Sequence, residues 1–194
     1  MVEIRLYFEG DPALRPGFGQ FFSEIANRAR EKGIKFIPIA GGSGAEAAKD
    51  HTMGLLKHPQ ALNLLLRDSE GLPLPNPPEE LKFWMVQTME AWFLADPEAL
   101  EVYYHKSQFR MSALKRNPKV EEIPKDDVLR CLAEATKGTQ KGGYHKTKHA
   151  PHILQLLSPA KVRKVAPNCD RLFKDALARL SAPPPDSDGT PHVS

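Results

Sequence analysis

Three carboxylates follow directly after two apolar segments of this 194-residue chain. Glu9 comes after the run at 4–8, and Asp68 and Glu70 come after the run at 62–66. Continuous apolar runs are typical of parallel strands that are buried on both faces, and the carboxyl ends of such strands form the ligand-binding crevice of an open α/β sheet. Three acids at that edge repel one another unless a cation lies between them. The sequence therefore predicts a divalent-metal centre.

The acids also have the right chemistry and spacing for such a centre. Mg²⁺ (or Mn²⁺) takes oxygen ligands, usually one or two carboxylates together with waters and substrate phosphates. Asp68 and Glu70 are two residues apart at a strand end, so both side chains can point to one face, and Glu9 arrives from a neighbouring strand. Two metal ions in this position would clamp the oxygens of a phosphoryl transfer. The alternative is that each acid caps a turn; it is favoured for each acid alone, whereas the metal centre is favoured for the three together.

A fourth carboxylate, Glu90, stands at the start of an otherwise apolar helical segment. Burying a carboxylate there costs free energy unless it is paired or liganded. Two interpretations stay open at this point: Glu90 is a further metal ligand, or it forms a salt bridge with a basic residue of the segment 141–148.

The segment 141–146 (KGGYHK) combines two glycines with two lysines. Glycines let backbone N–H groups approach a phosphate closely, and a lysine can neutralise the charge that develops on it, so Lys141 and Lys146 are candidate catalytic residues. The alternative is a flexible solvent loop. The wider stretch 137–164 is strongly basic, which suits a polyanionic substrate such as nucleic acid, although each lysine taken alone is more typical of an ordinary solvated face.

The elements that must position these residues alternate between strand and helix. This alternation predicts an α/β fold with a mainly parallel sheet, right-handed crossovers, flanking helices and a helical C-terminal part. We expect one domain over 1–180, with loops at 10–19 and 137–148, a proline-rich linker at 72–80 inside the domain, and a disordered tail at 181–194. The predicted strands are 3–8, 35–40, 61–67 and 83–87, and the predicted helices are 20–31, 45–58, 89–96, 97–103, 125–135, 151–157, 159–165 and 169–180.

Composition narrows the class of protein further. The net charge of +3 is mild, and the two cysteines exclude a disulfide framework or a zinc ribbon. No segment approaches the ~20 consecutive apolar residues of a membrane helix. The N-terminal residues enter a strand directly, without a signal-peptide layout, so we expect a cytoplasmic protein that does not insert into a membrane. The oligomeric state stays open.

Strand–Glu-Gly followed, after two crossovers, by strand–Asp-x-Glu resembles the Toprim domain, the metal-binding fold of topoisomerases, primases and the overcoming-lysogenization-defect nucleases. The chain is more closely similar to a bacterial family of small Toprim-like proteins with a domain of unknown function. That resemblance covers residues 3–180. It is carried by the segments 8–10 (FEG), 85–96 (MVQTMEAWFLAD), 117–118 (NP), 123–125 (IPK) and 141–146 (KGGYHK).

The resemblance implies a Toprim-like (Rossmann-like) fold and roles for individual residues. Glu9 matches the strand-one glutamate, a metal ligand or general acid/base in Toprim nucleases. Asp68 and Glu70 match the D-x-D pair, although Glu70 is one methylene longer, and Asp11 matches an additional acid of the overcoming-lysogenization-defect nucleases.

At the level of function, the resemblance implies a metal-dependent nuclease acting on DNA or RNA. It also implies a role in bacterial defence against phage beside a partner ATPase of the ABC/SMC type. The alternative is a non-catalytic subunit of the same fold that docks on an ATPase or on nucleic acid.

Overall fold

A four-stranded, all-parallel sheet forms the centre of the computed structural model, which describes residues 1–105 and 108–182. The strand order is β2-β1-β3-β4, so β1 and β3, which carry the predicted acids, are neighbours in the middle. The predicted α/β class and the parallel sheet are confirmed. The strands are β1 Glu3–Phe8, β2 Lys35–Ala40, β3 Leu62–Asp68 and β4 Lys82–Met85.

Helices flank both faces of this sheet, and those after β4 form the predicted helical C-terminal part. Short 3-10 helices at Pro12–Leu14, Met111–Ala113 and Val120–Glu122 complete the regular structure of the described ranges. The α-helices of the described ranges are α1 Arg15–Phe21, α2 Ser23–Glu31, α3 Gly44–Lys57, α4 Ala91–Ala95, α5 Pro97–Tyr104, α6 Lys125–Thr136, α7 Lys146–Leu156, α8 Pro159–Val165 and α9 Pro167–Ser181.

The two faces of the sheet bury very different amounts of apolar surface, because successive side chains of a strand point to opposite sides. Leu64 and Leu66 of β3 face the large core that also holds the two phenylalanine side chains of α1. Tyr7 and Leu65 face a small cluster under α3. The large core therefore fixes the sheet from one side, and the other side is left for α3 and for the site.

Helix α3 begins sharply and lies very close to the sheet. Ser43 and Glu46 form a capping box, in which each side chain accepts from the backbone N–H of the other residue. A Cβ atom at Gly54 would lie 2.1 Å from the Tyr7 hydroxyl oxygen, so only glycine allows this approach. The capping box thus fixes the start of α3, and the close approach at Gly54 holds its last turns against β1.

Two predicted loops are partly wrong. The segment 10–19 is helical from Pro12 onward. Pro12 and Pro16 do not prevent this, since they occupy first-turn positions, where a missing N–H group is harmless. The segment 137–148 is a loop only up to His145, since α7 begins at Lys146. In the predicted tail, residues 183–194 lie outside the described residues. No helix in the described ranges combines the length and apolar character needed to span a membrane.

Candidate metal centre

Glu9, Asp68 and Glu70 lie together at the carboxyl ends of β1 and β3. Each offers a carboxylate oxygen, and these oxygens all lie within 4.8 Å of one another. The arrangement follows from the topology, because parallel neighbouring strands end at the same edge of the sheet. This cluster could hold a metal ion.

Glu9 is fixed in position by the neighbouring strand. Its Oε2 atom accepts a hydrogen bond from the Asp68 backbone N–H at 3.1 Å, and its own N–H donates to the Leu66 carbonyl at 2.9 Å. A Cβ atom at Gly44 would lie 2.6 Å from Glu9 Oε2. The first residue of α3 must therefore be glycine for Glu9 to keep this orientation.

Asp68 is almost completely buried and has few partners for a carboxylate. Its Oδ1 atom accepts from the Met89 N–H at 2.9 Å, and its Oδ2 atom lies 3.5 Å from Lys146 Nζ. Burial raises the pKa of Asp68 to about 7; Lys146 opposes the increase, and the nearby carboxylates of Glu90 and Glu9 add to it. A cation would stabilise the charged form of Asp68, so these oxygen donors fit a hard divalent metal ion.

Glu70 is exposed and sits on a constrained turn. Its φ of +54° lies in the left-handed region, and its side chain forms an ion pair with Lys125 at the start of α6. Ser69 Oγ accepts from the Gln87 N–H at 2.8 Å, and Gln87 Oε1 accepts from the Lys125 N–H at 3.2 Å. The ends of β3, β4 and α6 are thereby linked around Glu70.

Glu90 lies outside the group of three acids whose oxygens approach within 4.8 Å of one another in the described ranges. It is completely buried, and its oxygens accept hydrogen bonds from Thr88 Oγ1 at 2.5 Å and from the Tyr144 hydroxyl at 2.8 Å. Lys146 Nζ lies 3.9 Å from Glu90 Oε1. Of the two interpretations of Glu90, the ion pair with the 141–148 segment is the one observed.

Lys146 bridges the two buried carboxylates. Burial alone would lower its pKa, but the charges of Glu90 and Asp68 outweigh that effect, so the pKa of Lys146 is raised and the ammonium group stays charged. The first residue of α7 thus places a permanent positive charge beside the acids.

Lys141 and Asp11 contact other groups in the described ranges, and neither is among the residues that contact the three clustered acids. Lys141 Nζ lies 4.7 Å from the centre of the Tyr103 ring, whereas the cations that contact the four acids in the described ranges are Lys125 and Lys146. Asp11 Oδ1 accepts from the Ala13 N–H at 2.8 Å and caps the first 3-10 helix.

Sequence reasoning missed several residues that hold the site together. Thr88 and Tyr144 satisfy Glu90, and Lys125 pairs with Glu70. A buried acid requires donors, so the hydroxyl of Thr88, two residues before Glu90, was a detectable signal. Lys125 carried no such signal, because it meets Glu70 only through the packing of α6.

Fold and site together define a parallel α/β protein with a carboxylate cluster at its strand ends. The chain belongs to the family described as a domain of unknown function (DUF4276), whose family model matches residues 68–175. The matched segment includes Asp68, Glu70, Glu90 and Lys146, but it begins after Glu9. No curated protein and no solved structure matches the chain.

Proposed function

We propose that this protein is a divalent-metal-dependent nuclease that hydrolyses phosphodiester bonds in DNA or RNA. The observation that carries the proposal is the approach of three carboxylates to within 4.8 Å, with Lys146 Nζ 3.5 Å from one of them. Glu9, Asp68 and Glu70 would hold Mg²⁺ or Mn²⁺. When bound, such a cation lowers the pKa of water and neutralises charge on a phosphate.

The protein groups have distinct parts in this proposal. The Asp68 N–H donates a hydrogen bond to Glu9 Oε2 and so orients the carboxylate. Oε1 is then the atom available to accept a proton from water. Lys146 is held by Glu90 and Asp68, and its charge stabilises the negative charge that builds up on the phosphate during the reaction. Glu90 acts through Lys146 and is a positioning residue.

The charge of the surrounding surface supports a polyanionic substrate. Lys148, two residues after Lys146 on α7, is exposed, and so are His145 and Lys164 of the same basic stretch. Lysines near an active site attract phosphates at long range, and this attraction weakens with added salt.

The test uses plasmid DNA, single-stranded DNA and tRNA, each incubated with Mg²⁺, with Mn²⁺ or with a chelator. We expect cleavage that requires the metal and is lost in Glu9→Gln and Asp68→Asn. Asp11→Asn is the matched control, since it changes a nearby exposed carboxylate outside the cluster and keeps an oxygen that can cap the 3-10 helix. Cleavage that survives in both site variants contradicts the proposal.

A second candidate function is a non-catalytic subunit. The ion pairs of Glu70 with Lys125 and of Asp68 with Lys146 favour it, because lysines already neutralise part of the cluster. Calorimetric titration with Mn²⁺ separates the two functions: nucleic-acid binding without Mn²⁺ binding supports the subunit, and Mn²⁺ binding that Asp68→Asn removes supports the nuclease.

The proposed partner ATPase and the role in phage defence rest on the resemblance to Toprim nucleases alone. Adding a candidate ABC/SMC-type ATPase and ATP to the cleavage assay tests this partnership. We expect faster cleavage, and an unchanged rate together with no co-elution on a sizing column contradicts it.

A further inference from the structure

Beside the acids, part of the sheet face toward α3 forms a groove over β3 and β4. Arg67 of β3 and Trp84 of β4 are register partners on neighbouring strands, and both are partly exposed. The two residues line a cavity of about 340 Å³ and also a second cavity of about 240 Å³. The two cavities therefore adjoin at this pair of side chains.

The larger cavity connects the acids with an apolar wall. Glu9, Asp68 and Glu70 line one part of it, and the segment 72–75 (LPLP) lines another. Leu72, in this apolar segment, is 70% exposed. A ligand in this cavity would meet apolar surface, an aromatic ring and the candidate metal centre together.

Arg67 has unused binding capacity. Its guanidinium carbon lies 5.3 Å from the centre of the Trp84 ring, which places a planar cation against an aromatic system. Its Nε atom is buried and has no hydrogen-bond partner among the described residues. Guanidinium and indole planes are the groups on which proteins stack unpaired nucleobases, and a guanidinium also binds phosphate.

We propose that this cavity binds one unpaired nucleotide next to the scissile phosphate, so that the substrate is single-stranded nucleic acid. The inference rests on the proposed nuclease function. Bases inside a duplex have both faces covered by their neighbours, and they can stack on protein only after being unstacked. A volume of about 340 Å³ lies at the small end of the range for ligand pockets, which suits a single nucleotide.

Tryptophan fluorescence gives a readout that does not depend on cleavage. The chain has two tryptophans, and Trp92 is completely buried, so the Trp92→Phe variant leaves Trp84 as the reporter. The probes are a single-stranded DNA dodecamer and its blunt duplex, each with Ca²⁺, which takes the same oxygen ligands as Mg²⁺. We expect the single strand to quench Trp84 and the duplex to bind at least about tenfold more weakly.

Variants then separate binding from chemistry. Trp84→Ala should raise the KM for the single strand about tenfold and change kcat much less, and Trp84→Phe should restore most of the affinity because phenylalanine still stacks. Leu56→Ala is the control: Leu56 is 71% exposed on α3 and lies outside both cavities. Thermal unfolding of each variant shows whether an effect comes from loss of the fold.

The outcomes distinguish this inference from the nuclease proposal. Unchanged Trp84 emission, or duplex binding as tight as single-strand binding, overturns the single-strand inference even if the protein cleaves. Quenching by the single strand without metal-dependent cleavage supports the cavity as a nucleotide site and counts against the nuclease.

Discussion

Asp68 and Glu90 are both buried carboxylates, and they lie on either side of Lys146, yet their surroundings differ in kind. Glu90 has a hydroxyl donor on each oxygen. Asp68 has one backbone donor and a lysine 3.5 Å away, and burial raises its pKa to about 7. A buried carboxylate whose oxygens both accept protein hydrogen bonds stabilises the fold. A buried carboxylate with an oxygen that accepts none is suited to bind an added ligand.

The largest expected effect comes from Asp68→Asn. Because asparagine keeps an oxygen for the Met89 N–H but removes the charge, we expect metal-dependent cleavage to fall by roughly 10³-fold and the free energy of unfolding to stay the same or rise. Cleavage assays and urea denaturation without metal measure the two quantities. A large loss of stability would contradict the view that burying the charged Asp68 carboxylate destabilises the fold.

Glu90→Ala should behave in the opposite way. It leaves Thr88 and Tyr144 without an acceptor and Lys146 without a buried counter-charge, so we expect a stability loss of roughly 3 kcal/mol in urea denaturation. Glu90→Gln, which keeps the shape, should lose less. If Mn²⁺ affinity of the folded Glu90→Gln protein dropped as far as that of Asp68→Asn, the contrast between the two acids would be wrong.

The contrast also predicts a pH dependence. The folded-state pKa of Asp68, about 7, lies above its unfolded value, so its contribution to stability is complete below the unfolded pKa and is lost as the pH rises through the folded pKa. In chelator, this group should reduce stability by on the order of 2 kcal/mol between pH 5 and pH 8. Urea titrations of the native protein and of Asp68→Asn should differ by that amount, and identical pH profiles would contradict it.

The smallest effect is expected for Tyr144→Phe. It removes one hydrogen bond to Glu90, so stability should fall by about 1 kcal/mol, and cleavage should fall only slightly. Tyr103→Phe is the matched control, since Tyr103 presents its ring to Lys141. Equal losses in both variants would show that the hydroxyl of Tyr144 has no special part in holding Glu90.

The sequence was sufficient to predict the parallel sheet and to predict that Glu9, Asp68 and Glu70 lie close together. Both depend on local signals, namely apolar runs that end in carboxylates, and on the rule that parallel strands end at one edge. It was not sufficient to choose between Lys141 and Lys146. That choice depends on where α7 begins. Gly143 before its first turn and Pro151 after it led to the prediction that residues of this first turn belong to a loop.

The prolines and the glycine in the segment 10–19 also led to a wrong prediction. Pro12, Pro16 and Gly17 predicted a loop, although a proline is tolerated at the first positions of a helix. The burial of Phe18 and Phe21 in the large core provides the free energy that makes this segment helical. Such packing depends on residues far away in the chain, including Trp92 against Phe21, and no local pattern reports it.

Gly44 shows that the candidate metal centre also depends on a residue that has no functional side chain. Its hydrogen side chain leaves the volume into which the Glu9 carboxylate extends, 2.6 Å from where a Cβ atom would lie. Three acids are thus an incomplete recipe for this centre: a designed copy that transplanted them and placed alanine at the helix start would carry every ligand and still push one of them aside.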